Sequence, residues 1–336
     1  MNANMLSFDE AHEKLLGFVR PVREIEQVDT MFSAGRVLAV AQHSTINQPP
    51  MDNSGMDGYA LRAADVPAPG TRLRVSQRIP AGSVGHELAP GTAARIFTGA
   101  PLPPGTDTVV MQEQVELTQT DLQQQIVCQL VPSPGEHVRR AGEDIAKGAA
   151  VFAAGHKLRP ADIGLLASLG IANVKVWRQL KVAIFSSGDE LVPPGQSLPD
   201  GHIYDSNRYV IAAMLQRLGV EVIDLGLLPD DPKALEQAFA QAMTQADVLI
   251  TSAGVSVGEA DYTRQILHKL GQINFWQVAI KPGKPFAFGK LDNCWFFGLP
   301  GNPVAAVVTL EQLVQPVLRK LSGETVTANV KLLSAE

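Results

Sequence analysis

From Lys181 onward, short apolar runs alternate with longer stretches of mixed character. Residues 181–185, 220–225, 248–251 and 295–298 are apolar runs of strand length. Between and after them lie 208–218, 232–245, 262–270 and 304–321, where apolar positions return every three to four residues and predict helices. Gly219 stops the first of these, as glycine does just past a helix end. Regular alternation of strands and helices predicts a mostly parallel sheet with helices on both faces.

The first half of the chain reads differently. Ser7 and Glu10 form a capping box ahead of Ala11, Leu15, Leu16 and Val19, which predicts a helix ending near Arg20 and Pro21. A second helix is predicted over 29–39. From 46 to 130 the helical period is lost. Short apolar stretches at 71–75, 93–98, 108–112 and 125–131 stand between prolines and glycines, the pattern of a small β-rich domain. Pro160 then opens a helix that runs to Leu169, with Gly170 past its end, and 173–176 reads as a strand. No internal repeat or low-complexity tract interrupts this order.

Composition narrows the class. A chain of 336 residues is long enough for two domains or slightly more. With 45% hydrophobic and 18% charged residues it has the makings of packed cores rather than of disorder. The net charge of -6 argues against a general nucleic-acid binder, whose affinity needs clustered positive charge. No apolar run approaches the ~20 residues that cross a bilayer. Asp9, Glu10 and Glu13 make the first residues too acidic for a signal peptide. Two cysteines, Cys128 and Cys294, give no disulfide framework, and no CxxC, HxxxH or HExxH spacing suggests zinc. The seven histidines show no paired ligand spacing. The expectation is a soluble, cytoplasmic protein that would hold any metal through oxygen ligands.

In an open α/β sheet, ligands bind beyond the carboxyl ends of the strands. The segments that follow the predicted strands are rich in small residues and carboxylates: Ser186-Ser187-Gly188-Asp189-Glu190, then Asp230-Asp231, then Ser252 to Asp261, then Pro300-Gly301-Asn302-Pro303. Small residues such as Ser186, Gly188, Ser252, Gly254 and Ser256 let a phosphate approach backbone N–H groups. Asn302 is a good helix N-cap and Pro303 a good first helical residue. Glu190, Asp230 and Asp261 could hold Mg²⁺, which takes one or two carboxylates plus phosphate oxygens and water. Each acid taken alone is more often a helix cap or a solvated turn than a ligand; their recurrence at successive strand ends is what points to a site. Lys281 and Lys284 stand in a stiff KPGKP segment, two point charges suited to an oxyanion. Asp57, in DNSGMDGYA, and Thr98, in FTGAP, lie in tight polar loops of the β-rich part, and either could be structural. Arg139 and Arg140, before Gly142-Glu143-Asp144, read first as a solvated charged loop.

The strings PMDNSGMDGYA, RIFTGAPLPPG, VVMQE, RRAGEDI, LASLGIANVKV, FSSGDEL, IYDSN, GVSVGEADYT, KPGKPFAFGK and GLPGNPVA occur in this order. Together they make the chain resemble the molybdopterin molybdenumtransferase family, the MoeA-type enzymes and the E domain of gephyrin, from Ser7 to Gly323. One such string would be weak; ten in order are specific. The resemblance implies an α/β multi-domain fold: a discontinuous helical linker and dimerisation domain (1–44 with 141–177), a β-rich insertion (45–140), and a doubly wound, mostly parallel α/β molybdopterin-binding domain (178–323), which resembles the sister adenylyltransferase. Family members usually carry a further C-terminal β-domain, and 324–336 would be the start of that domain, absent from this sequence.

The implied function is insertion of molybdate into adenylylated molybdopterin with Mg²⁺-dependent release of AMP, in molybdenum cofactor biosynthesis. The implied partners are a second copy in a homodimer and, upstream, a molybdopterin adenylyltransferase; neither nucleic acid nor membrane is expected. Carried over by motif, Asp57 and Thr98 reach the site from the β-domain, across the dimer. Glu190 and Asp261 serve Mg²⁺, and Asp230 is a further acidic position. Lys281 and Lys284 face the oxyanion, and Pro300 to Pro303 turn beside the substrate. Ala253 stands where family members commonly have glycine; at positive φ it would add ~1 kcal/mol or more of strain, and at negative φ little. The alternatives are a non-catalytic dimerisation or scaffold form, favoured by the missing domain, and molybdopterin adenylylation, suggested by the shared α/β domain.

Overall fold

The computed structural model describes residues 5–120, 123–252, 266, 269–282 and 285–325. The chain divides into two compact units. One comprises Met1–Ala41, Ala153–Ala167 and Ile171–Glu336; the other comprises Gln42–Phe152 and Ser168–Gly170.

The first unit is built on a seven-stranded mixed sheet. In spatial order its strands are Met5–Leu6, Gln272–Val278, Pro285–Leu291, Cys294–Leu299, Val248–Ser252, Lys181–Ser187 and Glu221–Leu228. The last four run parallel, whereas Pro285–Leu291 is antiparallel to both of its neighbours. Lys181–Ser187 shows why the parallel strands read as continuous apolar runs. Val182 and Ile184 point to one face, with Leu215 and Leu313; Ala183 and Phe185 point to the other, with Leu235 and Phe239. The helices Asn207–Leu218 and Pro232–Gln245 therefore cover opposite faces. Phe185 meets Phe239 edge to face at 5.7 Å. Burying each such ring contributes roughly 1.5–3 kcal/mol.

At one side of this sheet, Met5–Leu6, Gln272–Val278 and Pro285–Leu291 were not predicted, whereas Cys294–Leu299 was, as 295–298. Pro285–Leu291 and Cys294–Leu299 form a hairpin closed at Leu291 and Cys294, with Asp292 at φ 51 in the turn. Aspartate tolerates this left-handed conformation, so Asp292-Asn293 is a sequence signal for the hairpin.

The first helix, Phe8–Phe18, starts at the expected capping box: Glu10 N–H donates to Ser7 Oγ at 3.2 Å, and Ser7 N–H donates to Glu10 Oε2 at 2.8 Å. Ala11, Leu15 and Val19 join the core on the Leu215 side of the sheet. The helix predicted over 29–39 does not form. Only a single turn, Thr30–Phe32, follows Asp29, whose side chain accepts from Met31 N–H. Gly35 then adopts φ +79, and Val37 and Leu38 make β-bridges to Lys157 and Val176. Ile25–Asp29 likewise pairs with Asn173–Trp177. The apolar positions that mimicked a helical stripe are satisfied by partners over a hundred residues away.

The second unit holds a six-stranded sheet in the order Thr108–Met111, Gly58–Leu61, Thr92–Ile96, Arg72–Ile79, Gln123–Cys128 and Val115–Thr120. Alternate residues feed two cores, one with Tyr59, Leu61 and Ile126, the other with Ala60, Ile96 and Val109. At Gly58 a Cβ would meet the Val110 carbonyl oxygen at 2.0 Å, so only glycine allows this strand crossing. Among the described residues no helix is long and apolar enough to span a membrane.

Candidate active site

The carboxyl edge of the parallel strands carries a buried polar layer. Ser186 Oγ and Ser252 Oγ lie 3.0 Å apart, and Ser186 Oγ donates to Asp205 Oδ1 at 3.1 Å. Asp205, 1% exposed, also accepts from Arg208 N–H at 3.3 Å and from Arg208 Nε at 2.9 Å. Arg208 reaches on to Asp224, so the start of the helix Asn207–Leu218 is tied to two neighbouring strands.

Beside this layer sit three acids. Asp230 N–H donates to Asp189 Oδ1 at 3.1 Å. Partial burial, then the nearby charges of Asp189 and Glu190, push the Asp230 carboxyl above the usual aspartate range. Gly188 makes this crowding possible: at φ +150, an added Cβ would come within 2.6 Å of Glu190 Oε2. Pro300-Gly301-Asn302-Pro303 turns from Cys294–Leu299 into the helix Pro303–Thr309. Asn302 caps it as predicted, accepting from Ala305 N–H at 3.0 Å. Asn207 Nδ2 donates to the Gly301 carbonyl at 2.8 Å.

The structure thus gathers Ser186, Gly188, Glu190 and Asp230 around two adjacent strand ends, with Ser252 hydrogen-bonded to Ser186 on the third and the Gly301 turn joined through Asn207. Lys281 is exposed, after the Gln272–Val278 strand. Ala253, Gly254, Ser256, Asp261 and Lys284 lie outside the described residues. Asp205, Asn207 and Asp189 were not singled out from sequence as site residues. The IYDSN string carried the first two, but short polar residues before a helix read as caps.

Asp57 and Thr98 come together in the second unit. Thr98 donates to Asp57 Oδ1 through its backbone N–H at 2.8 Å and its hydroxyl at 2.7 Å. These bonds, the backbone one foremost, and the charge of Arg95 hold the Asp57 carboxyl below its ordinary range. Arg95 is itself pinned: it donates to Gly58 O at 2.9 Å and Gln112 Oε1 at 2.6 Å, and lies 4.6 Å over the Phe97 ring. Arg139 and Arg140 are paired within the same unit, to Asp144 and Asp52, and fasten the loop they belong to.

Both units match known proteins. Residues 6–170 match the MoeA N-terminal region (domain I and II), and 183–320 match a probable molybdopterin binding domain. The molybdopterin molybdenumtransferase of Haemophilus influenzae is 51% identical over 321 residues, covering 95% of this chain and 78% of that protein. The protein of the same name from Nostoc is 43% identical over 90% of this chain and 70% of its own length. The crystal structure of a molybdopterin biosynthesis MoeA protein from Pyrococcus horikoshii superposes with a TM-score of 0.77 at 35% identity, over 95% of this chain and 80% of that one. The fold is that of a MoeA-like protein with a molybdopterin-binding type of α/β domain. The chain belongs to the molybdopterin molybdenumtransferase family of molybdenum cofactor biosynthesis.

Proposed function

We propose that this protein inserts molybdate into adenylylated molybdopterin and releases AMP, as a cytoplasmic homodimer supplied by a molybdopterin adenylyltransferase. The observation that carries this is the crowding of Asp189, Glu190 and Asp230 beside the buried Ser186–Ser252 layer. Partial burial, and after it the charges of Asp189 and Glu190, disfavour the ionised form of Asp230. A divalent cation would offset this.

Among the described residues no group of three or more side chains is gathered closely enough to ligate a metal unaided. Mg²⁺ does not need one, since it keeps water and substrate phosphate oxygens beside one or two carboxylates. The residues therefore fit Mg²⁺ held by Asp230 with Glu190, and Asp261 is the further expected ligand. When bound, the ion supplies neutralisation of phosphate charge. The chain's own groups do the rest. The small residues Gly188 and Gly301 let substrate approach the backbone. Ser186 and Ser252, buried and bonded to each other, form with Asp205 the floor of the strand edge. Lys281 and Lys284 attract molybdate, a substrate, against competition from water. Asp57, anchored by Thr98, supplies a fixed carboxylate.

The test is AMP release by the full chain from adenylylated molybdopterin, with molybdate and Mg²⁺ varied independently. Release that requires both, with product that activates an apo-molybdoenzyme, is expected. No release above the uncatalysed rate would rule the proposal out.

A further inference from the structure

We propose that Asn207 Oδ1 is the acceptor that reads the 2-amino group of the pterin. The assignment rests on the molybdopterin substrate proposed above. Asn207 opens the helix Asn207–Leu218 and is 9% exposed. Its Nδ2 donates to the Gly301 carbonyl at 2.8 Å. A carbonyl oxygen only accepts, so the amide nitrogen must face Gly301, which fixes the side chain's orientation and turns Oδ1 away from that bond. This oxygen is buried and receives no hydrogen bond.

Its polar neighbours are already satisfied. Asp205 takes bonds from Ser186 and Arg208, Ser186 meets Ser252, and Asn302 is spent on Ala305 N–H. Among the described residues, Asn207 Oδ1 is the unpaired buried side-chain atom of this edge. Buried acceptors are normally paired, and a specific exception calls for a missing partner. Gly301 follows Cys294–Leu299, and Ser186, bonded to Asp205, ends Lys181–Ser187. These two strands flank Val248–Ser252, so the Asn207 amide spans the ligand edge of the sheet.

The missing partner must bring an N–H or O–H. Ionised phosphate and molybdate bring only acceptor oxygens and would be repelled. A pterin carries an amino group at C2 and a ring N–H at N3, side by side, whereas the nucleotide half of the substrate offers ribose hydroxyls. Residue 207 lies inside the segment matched to a molybdopterin binding domain, which favours the pterin.

The experiment compares pterin with lumazine, in which the 2-amino group is replaced by oxygen, by fluorescence titration against the full chain. AMP is titrated in parallel, and folding is followed by thermal unfolding. The unsubstituted protein is expected to prefer pterin by about tenfold, the scale of one buried hydrogen bond. In Asn207→Leu, which removes both polar atoms at similar volume, the preference should fall to near unity while AMP binding persists. Asn207→Asp keeps acceptor oxygens and should retain the preference, so loss of the Gly301 bond alone is separated from loss of the acceptor. An undiminished preference in a folded Asn207→Leu would show that the residue only braces the Gly301 turn. Loss of AMP affinity in place of pterin affinity would assign the donor to ribose and overturn the proposal. If the unsubstituted protein binds pterin and lumazine equally, this inference fails while the function stands. If it binds neither those nor molybdopterin itself, the function fails with it.

Discussion

Asp230 and Asp57 are both acids in tight loops, yet their surroundings do opposite things to them. Asp230 lies at a strand end with two other acids, and partial burial and their charges push it up. Asp57 lies in the β-rich unit with two donors from one threonine and a stacked arginine near by, which hold it down. A carboxylate already satisfied by its own neighbours is a fixed charge that can position a group. One that is crowded by like charges gains most from a cation. On the proposed function, this contrast would leave metal and phosphate to the α/β edge and give Asp57 the part of a fixed charge.

The sharpest way to break this contrast is Asp230→Asn. Losing one of the crowded charges should cost about 3 kcal/mol of transition-state stabilisation, roughly a hundredfold in AMP release, and raise the Mg²⁺ needed. The molybdate dependence should stay the same. An unchanged rate and Mg²⁺ titration would remove Asp230 from the cation site. Lys281→Ala comes next: about a tenfold rise in the molybdate needed, from loss of a charge on an exposed residue, with nucleotide binding intact. Smaller again is Thr98→Val. It removes the hydroxyl donor at 2.7 Å and leaves the backbone donor at 2.8 Å. Loss of this one hydrogen bond should slow AMP release by roughly fivefold at most, at constant KM for Mg²⁺. A loss as large as that of Asp230→Asn would mean that Asp57 does more than orient.

How much of this was legible depended on whether the relevant partner is near in sequence. The Ser7–Glu10 box and the Asn302 cap are local, three residues across, and formed as predicted. The parallel strands were legible because burial on both faces makes them apolar throughout. Residues 29–39 misled because Val37 and Leu38 pair with Lys157 and Val176, which no local period reveals. Pro285–Leu291 was hidden by the lysines and prolines before it, although its alternation with Asp292-Asn293 was there to be read. Strand-end logic singled out Ser186, Glu190 and Asp230, which the structure places together at adjacent strand ends. It passed over Asn207, whose unpaired oxygen has meaning only because its nitrogen is held by Gly301, 94 residues on.

The smallest effect concerns stability against pH, where the two acids should carry opposite signs. Asp57 has a folded pKa below the ordinary aspartate value, because Thr98 N–H and then its hydroxyl stabilise the ionised form. Its contribution is therefore present above pH ~4 and is lost as pH falls through the lowered folded value. Asp230 has a raised folded pKa, because partial burial and then Asp189 and Glu190 disfavour its ionised form. Its contribution is present below pH ~4 and is lost as pH rises through the raised value. At neutral pH, without substrate or Mg²⁺, Asp230→Asn should thus melt slightly above the unsubstituted protein, and Asp57→Asn slightly below it. On acidification both differences should shrink, the first as Asp230 takes up its proton and the second as Asp57 does. Adding Mg²⁺ should erase the advantage of Asp230→Asn, because the cation then stabilises the ionised carboxylate that asparagine lacks. Thermal melts of the three proteins across this pH range, with and without Mg²⁺, make the comparison. Shifts of the same sign for both variants at neutral pH would mean that the two acids are held in the same way, and the division between a fixed and a crowded carboxylate would fall.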